Sequence, residues 1–195
     1  MSLTGRVLSI QVGRVRPLQV GERKLMSAIG KSAVSGPVTV GPLGLAGDEQ
    51  ADLSVHGGLS KAVYALPFEH LAWWQAQRQA RGVSLFDEAF VPGGLGENLS
   101  LQGLYEDEVF VGDTLHFASV VLRVTEPRQP CSKFNAVMGY DQAGRDMVQS
   151  GRCGFYLSVD QPGTLSAGES FVVQPGEQVT SIAAALRHKA RKHMR

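Results

Sequence analysis

Short β-prone runs, each closed by a glycine or proline break, recur along the whole chain and constrain its fold more than any other feature. Residues 6–12, 37–40, 62–66, 108–111, 114–117, 120–125, 155–159 and 170–173 are rich in valine, isoleucine, threonine or aromatics, and 23 glycines in 195 residues supply the breaks. Such spacing predicts a mainly β fold, a barrel or a sandwich. Gly112-Asp113, between two of the runs, predicts a tight hairpin turn. Helical stretches interrupt the strands. One starts at Pro67 and ends near Gly82, with Phe68, Leu71, Ala72 and Trp74 at helical spacing. A second covers 132–138 and continues at 144–149; a third runs from Ser181, placed to cap it, to about residue 192. Trp73 and Trp74 read as packing residues, as aromatics on one helix face generally are. No repeat and no linker divides the chain, so the expectation is one domain over residues 1–178 followed by a basic helical tail, 179–195.

Charge limits the partners. The chain carries 19 Lys and Arg against 18 Asp and Glu, but Arg187, Lys189, Arg191, Lys192 and Arg195 cluster at the C-terminus, so the rest is net acidic. Binding to duplex nucleic acid needs a basic face spread over the folded surface, which this distribution does not offer. No apolar run approaches the ~18 residues of a membrane-spanning helix, and Arg6 breaks the only apolar stretch near the start. The expected compartment is the cytoplasm, with Cys131 and Cys153, the two cysteines, kept as thiols.

Several common chemistries are absent. Ile29-Gly30-Lys31-Ser32 resembles the end of a phosphate-binding loop, but the required first glycine is Leu25. Gly94-Leu95-Gly96 lacks the third glycine of a dinucleotide fingerprint, because position 99 is leucine. Neither a serine-hydrolase elbow nor paired histidines at zinc-protease spacing occur.

What remains is one stiffened thiol and several glycine-dense loops. Pro127-Arg128-Gln129-Pro130-Cys131 follows a β-run and precedes a helix, so two prolines hold Cys131 at a strand-to-helix turn. A helix N-terminus and Arg128 both favour the thiolate, the form that attacks or binds metal; the plain alternative is a small packed thiol. Cys153 has no such turn and reads as structural. Glycines 57 and 58 let backbone amides approach a ligand, with His56 and Lys61 adding donors or charge, although a lone histidine is more often structural. Residues 93–98 form another such loop, ending in Glu97 and Asn98, which make polar contacts or close a turn. Loops of this kind on one scaffold imply a site built between them.

In order along the chain, Ser27-Ala28-Ile29 with Lys31, Gly44-Leu45 with Gly47-Asp48, Val55-His56-Gly57-Gly58 with Lys61-Ala62-Val63, Gly96-Glu97-Asn98-Leu99, Val111-Gly112-Asp113, and Pro127-Arg128 with Pro130-Cys131 resemble the MOSC family, the molybdenum-cofactor sulfurase C-terminal domain. Residues 47–51 and 127–135 are similar to its bacterial stand-alone branch, linked to resistance against hydroxylaminopurines, which typically continues into a longer helical C-terminal module. The resemblance implies a MOSC-type β-barrel in which Cys131 ligates the molybdenum of a pterin cofactor. It further implies reduction of an N-hydroxylated compound to the amine, with Cys131 as the catalytic and metal-binding residue. Lys31, Lys61, Arg128 and Lys133 are the cations expected to meet the cofactor phosphate, and His56, Gly57, Gly58, Glu97 and Asn98 complete the expected cofactor-binding set. No flavin, nicotinamide or iron–sulfur motif is present, so electrons are expected from a separate reductase. The alternative is a carrier of molybdenum cofactor or sulfur that performs no turnover; homo-oligomerisation is left open.

Overall fold

A computed structural model describes residues 3–51, 57–84 and 90–193, without the side chains of 192 and 193. Strands β1 (Thr4–Val12), β2 (Arg16–Val20), β3 (Arg23–Ser27), β4 (Ser32–Ala33), β5 (Val38–Gly41) and β6 (Gly44–Leu45) come first. A 3₁₀ turn at Leu59–Lys61 leads into β7 (Val63–Pro67), helix α1 (His70–Ala80), β8 (Leu99–Gln102), β9 (Thr114–His116) and β10 (Val121–Pro127). Helices α2 (Ser132–Met138) and α3 (Ala143–Ser150), strands β11 (Phe155–Gln161), β12 (Gly163–Leu165) and β13 (Ser170–Gln174), and helix α4 (Ile182–His193) complete the chain. The protein is mainly β, as expected.

Seven strands close into a barrel in the order β1-β13-β9-β10-β11-β7-β8, the ring being shut by β8 and β13 on either side of β1. An odd number of strands cannot alternate direction around a closed ring, so one neighbouring pair must be parallel. That pair is β7–β8. A parallel pair needs a long crossover, and residues 68–98, which include α1, supply it. Alternation sets the faces: along β13 Phe171 and Val173 point inward while Ser170, Val172 and Gln174 face out. Strand β7 is buried at every position because the barrel interior lies on one side and α1 packs on the other.

The helices seal the barrel from outside. Trp74 of α1 has no exposed surface and meets Phe134 of α2 edge-on at 5.3 Å between ring centroids, the packing role expected for it. Ser181 accepts the Ala184 N–H at 3.3 Å, as its expected capping role requires. Ile182 and Leu186 of α4 lie in the same core as the barrel strands. Leu186→Ala should therefore cost about 2–5 kcal/mol of stability, read from denaturant unfolding; a loss under 1 kcal/mol would mean α4 is dispensable to the core.

Two sequence expectations are corrected. Pro67 does not open α1 but closes β7, pairing with Leu101, and the helix starts at His70. Gly112-Asp113 turns the chain without making a hairpin: Phe110 forms an isolated bridge to Ser181, and β9 pairs instead with β10 and β13. The Asp113 carboxylate explains this, because it accepts the N–H groups of Phe110 and Gly176 at 2.8 Å each and ties the turn to the chain after β13.

Candidate functional site

A cleft opens where five segments meet the barrel wall. It is lined by Ser27, Ala28, Ile29 and Lys31 from the end of β3 onward, by 48–51 after β6, by Gly57, Lys61 and Ala62, by Leu95, Gly96 and Asn98 before β8, and by Arg128, Cys131 and Lys133, with Tyr64 and Tyr156 on the wall. Lys31, Gly57, Lys61, Asn98, Arg128, Cys131 and Lys133, chosen from the sequence, are brought together there. Gly58 and Glu97 are close in sequence to lining residues but do not line the cleft, and His56 lies outside the described residues.

Cys131 occupies the N-cap position of α2 in extended conformation, and its carbonyl accepts the Phe134 N–H at 3.0 Å. Backbone bonds thus fix the residue and the side chain is not used as a cap. It is half-buried and in no disulfide. Cys153, by contrast, is fully buried, its thiol directed at the Gly154 carbonyl at 3.0 Å. Burial, with Glu106 nearby, pushes that thiol's pKa well up, so it stays protonated.

Arg128 is 3% exposed and makes no ion pair among the described residues. Its guanidinium lies 4.7 Å from the centroid of the Phe134 ring and 5.4 Å from that of Tyr64, and donates to the Gln129 carbonyl at 3.1 Å. The groups acting most strongly on its charge are Tyr64, Tyr156, Cys131 and Cys153, none of them a carboxylate. A buried cation of this kind calls for an anion. Two other cations of the cleft, Lys61 and Lys31, are already balanced. Lys61 faces Glu126 at 3.7 Å, and Glu126 also binds Lys189 of α4. The Thr125 hydroxyl donates to the Ser60 carbonyl at 2.6 Å and holds the turn that presents Lys61.

Lys31 is paired with Asp48, both side chains being nearly inaccessible. Burial lowers the lysine's pKa, with Asp48 and Glu97 pulling it back up. Asp48 also accepts the Gly13 N–H at 2.7 Å and the Asn98 side-chain amide at 2.8 Å. Asn98 in turn accepts the Tyr64 N–H at 3.0 Å, so this network joins four loops to β7. Glu97 has no exposed surface; its carboxylate accepts the N–H groups of Gly93 and Leu95 at 2.6 and 3.1 Å and clasps the 93–98 loop. Burial raises its pKa, and those N–H groups oppose the rise. The Gly58 N–H is taken by the Gln50 side chain at 3.1 Å. Gly57 has φ +104° and a Cβ there would collide with the Gln50 amide, so glycine is needed for close packing.

Asp48, Tyr64 and Tyr156 are site residues that sequence reasoning passed over as such. Asp48 and Tyr64 stand in or beside segments already singled out, and pairing an acidic residue with Lys31 would have found the first. Nothing local marks Tyr156: it reaches the cleft through sheet register, opposite Tyr64 on β7 and Glu126 on β10.

Residues 52–180 match the MOSC domain. Protein YiiM of Escherichia coli K12 is 36% identical over 160 residues, covering 82% of this chain and 68% of that protein. A protein named reductase from Gibberella moniliformis is 32% identical over 167 residues, 85% of this chain but 28% of that one. The crystal structure of YiiM from Geobacillus stearothermophilus superposes with a TM-score of 0.75 at 30% identity, over 98% of this chain and 86% of the other. Among the described residues no helix is long and apolar enough to cross a membrane.

Proposed function

From a chain that belongs to the MOSC domain family, we propose a reductase of N-hydroxylated compounds, hydroxylaminopurine-type base analogues among them, that works with a molybdenum cofactor bound through Cys131. The observation that carries this reading is the pairing, in one cleft, of the Cys131 thiol with the buried guanidinium of Arg128, which has no carboxylate partner among the described residues.

The residues present fit the group. No cluster of three or more His, Cys, Asp or Glu able to hold a metal occurs among the described residues. Cys131 would hold a metal that brings other ligands with it, as a pterin dithiolene supplies them. Sulfur is a soft donor suited to such a metal. Arg128 and Lys133 would meet the anionic part of the cofactor, with Lys61 at the side and Lys31 held back by Asp48. Asn98, which lines the cleft, and Glu97, which does not, hold in place the loops that would meet the group. When bound, the cofactor supplies two-electron chemistry: R–NHOH takes up two electrons and two protons to give R–NH₂ and water. The electrons come from a separate reductase, since the chain has no flavin, nicotinamide or iron–sulfur motif. The chain's own part is to fix the sulfur, balance charge and orient the substrate. The relative from Gibberella moniliformis carries the name reductase, in keeping with this reading.

The test is elemental analysis of protein expressed in cells that make the cofactor, with 6-hydroxylaminopurine reduction assayed under a chemical electron donor. Near-stoichiometric molybdenum with turnover is expected. Metal without turnover would point to a carrier, and absence of both would overturn the reading.

A further inference from the structure

The hydroxyl of Tyr156 is a polar group of the cleft that no side chain or backbone group takes up among the described residues. Tyr156 is 8% exposed, and its side chain makes no hydrogen bond among the described residues. Its neighbour Tyr64, 5.5 Å away between ring centroids, spends its own hydroxyl on the Cys153 carbonyl at 2.8 Å. The Tyr156 ring packs beside Tyr64 and has the Lys61 ammonium 5.7 Å from its centroid. A hydroxyl on the cleft wall that no protein group takes up is available to a molecule held in the cleft. Tyr156 lines the same cleft as Arg128 and Cys131, where a reacting atom would be held. Burial also raises its pKa and keeps it a neutral donor.

We propose that Tyr156 is a substrate-binding and specificity-determining residue, its hydroxyl donating a hydrogen bond to the oxygen of the substrate's N-hydroxyl group. This rests on the reductase reading given above. The Tyr156 bond distinguishes substrate from product, because the amine formed on reduction lacks the oxygen that accepts it. A donor placed this way favours binding of the N-hydroxylated form and eases release of the amine.

The experiment is Tyr156→Phe in the cofactor-loaded protein, which keeps the ring and its contacts. Equilibrium dialysis with 6-hydroxylaminopurine and with adenine separates the role from packing. The dissociation constant for the N-hydroxyl compound should rise about five- to tenfold, the usual worth of one neutral hydrogen bond, while adenine binding stays within twofold. KM should rise by a similar factor, with molybdenum content unchanged. Equal weakening of both ligands, no change in either, or loss of molybdenum would each overturn the proposal, the last by assigning the hydroxyl to the cofactor. A wild-type protein that neither binds nor reduces 6-hydroxylaminopurine would instead overturn the reductase reading, and this inference with it.

Discussion

Cys131→Ala should abolish molybdenum retention and N-hydroxyl reduction while leaving the barrel folded. The backbone of residue 131 does the structural work at this turn, accepting the Phe134 and Asn135 N–H groups through its carbonyl, and alanine preserves both bonds. The thiol is half-buried and not a cap, so its removal should change stability by about 1 kcal/mol or less. Function has no such reserve. At metal sites, altering a group that merely orients a ligand costs roughly 10- to 100-fold, and removing the one protein sulfur in the cleft should exceed that and bring turnover to background. Metal analysis, unfolding midpoint and turnover on the same preparation check the three parts together. A variant that keeps its molybdenum and more than a tenth of its activity would show that Cys131 is a packed thiol and no ligand.

The largest expected loss of stability is at Asp48. Its carboxylate serves the Lys31 ammonium, the Gly13 N–H and the Asn98 amide, all in or beside the cleft. Asp48→Ala would strand the lysine in a buried position and orphan two further donors. Removing one partner of a buried pair costs about 3–5 kcal/mol, because the other charge is left uncompensated. Replacing both partners with apolar residues of similar size is far milder, so Asp48→Leu with Lys31→Met should recover part of that loss, the Gly13 and Asn98 donors remaining unmet. The effect has a definite pH sign. Burial already lowers the Lys31 pKa below 10.5, and losing Asp48 removes a group that raises it. Between that depressed value and 10.5 the unfolded chain binds the proton more tightly than the native one, so the stability of Asp48→Ala should rise with pH across this window. Urea unfolding at several pH values is the measurement; a deficit independent of pH would show that lost backbone and amide bonds, not the stranded lysine, set the cost.

Legibility of the fold followed how locally each element is specified. Helix α2 is bounded by Pro130 before it and Gly139, at φ +80°, after it, and the sequence placed it at its observed limits. Strands β10, β11 and β13 were legible because burial alternates or runs unbroken along them. The β2–β3 hairpin was missed. Arg16, Pro17, Arg23 and Lys24 are exposed there, and a pair with little buried surface leaves no hydrophobic period, although Gly21-Glu22 between the strands was a usable turn signal. The parallel β7–β8 contact and the closure of the ring through β1 were beyond local reading, since pairing between distant strands leaves no mark on either strand alone.

The site divides in the same way. The sequence by itself determined a mainly β fold, a thiol fixed by two prolines and several glycine-dense loops, because turn residues are written locally, while the grouping of Lys31, Gly57, Lys61, Asn98, Arg128, Cys131 and Lys133 into one site came from the resemblance to the MOSC family. Only the tertiary structure decided which of those cations is balanced, leaving Arg128 buried without a carboxylate partner among the described residues while Asp48 neutralises Lys31 and Glu126 faces Lys61. It alone also set Tyr156 at the level of Tyr64 and Glu126 across three strands. Charge compensation and strand register depend on distances between residues far apart in the chain, and those distances exist only once the barrel has closed.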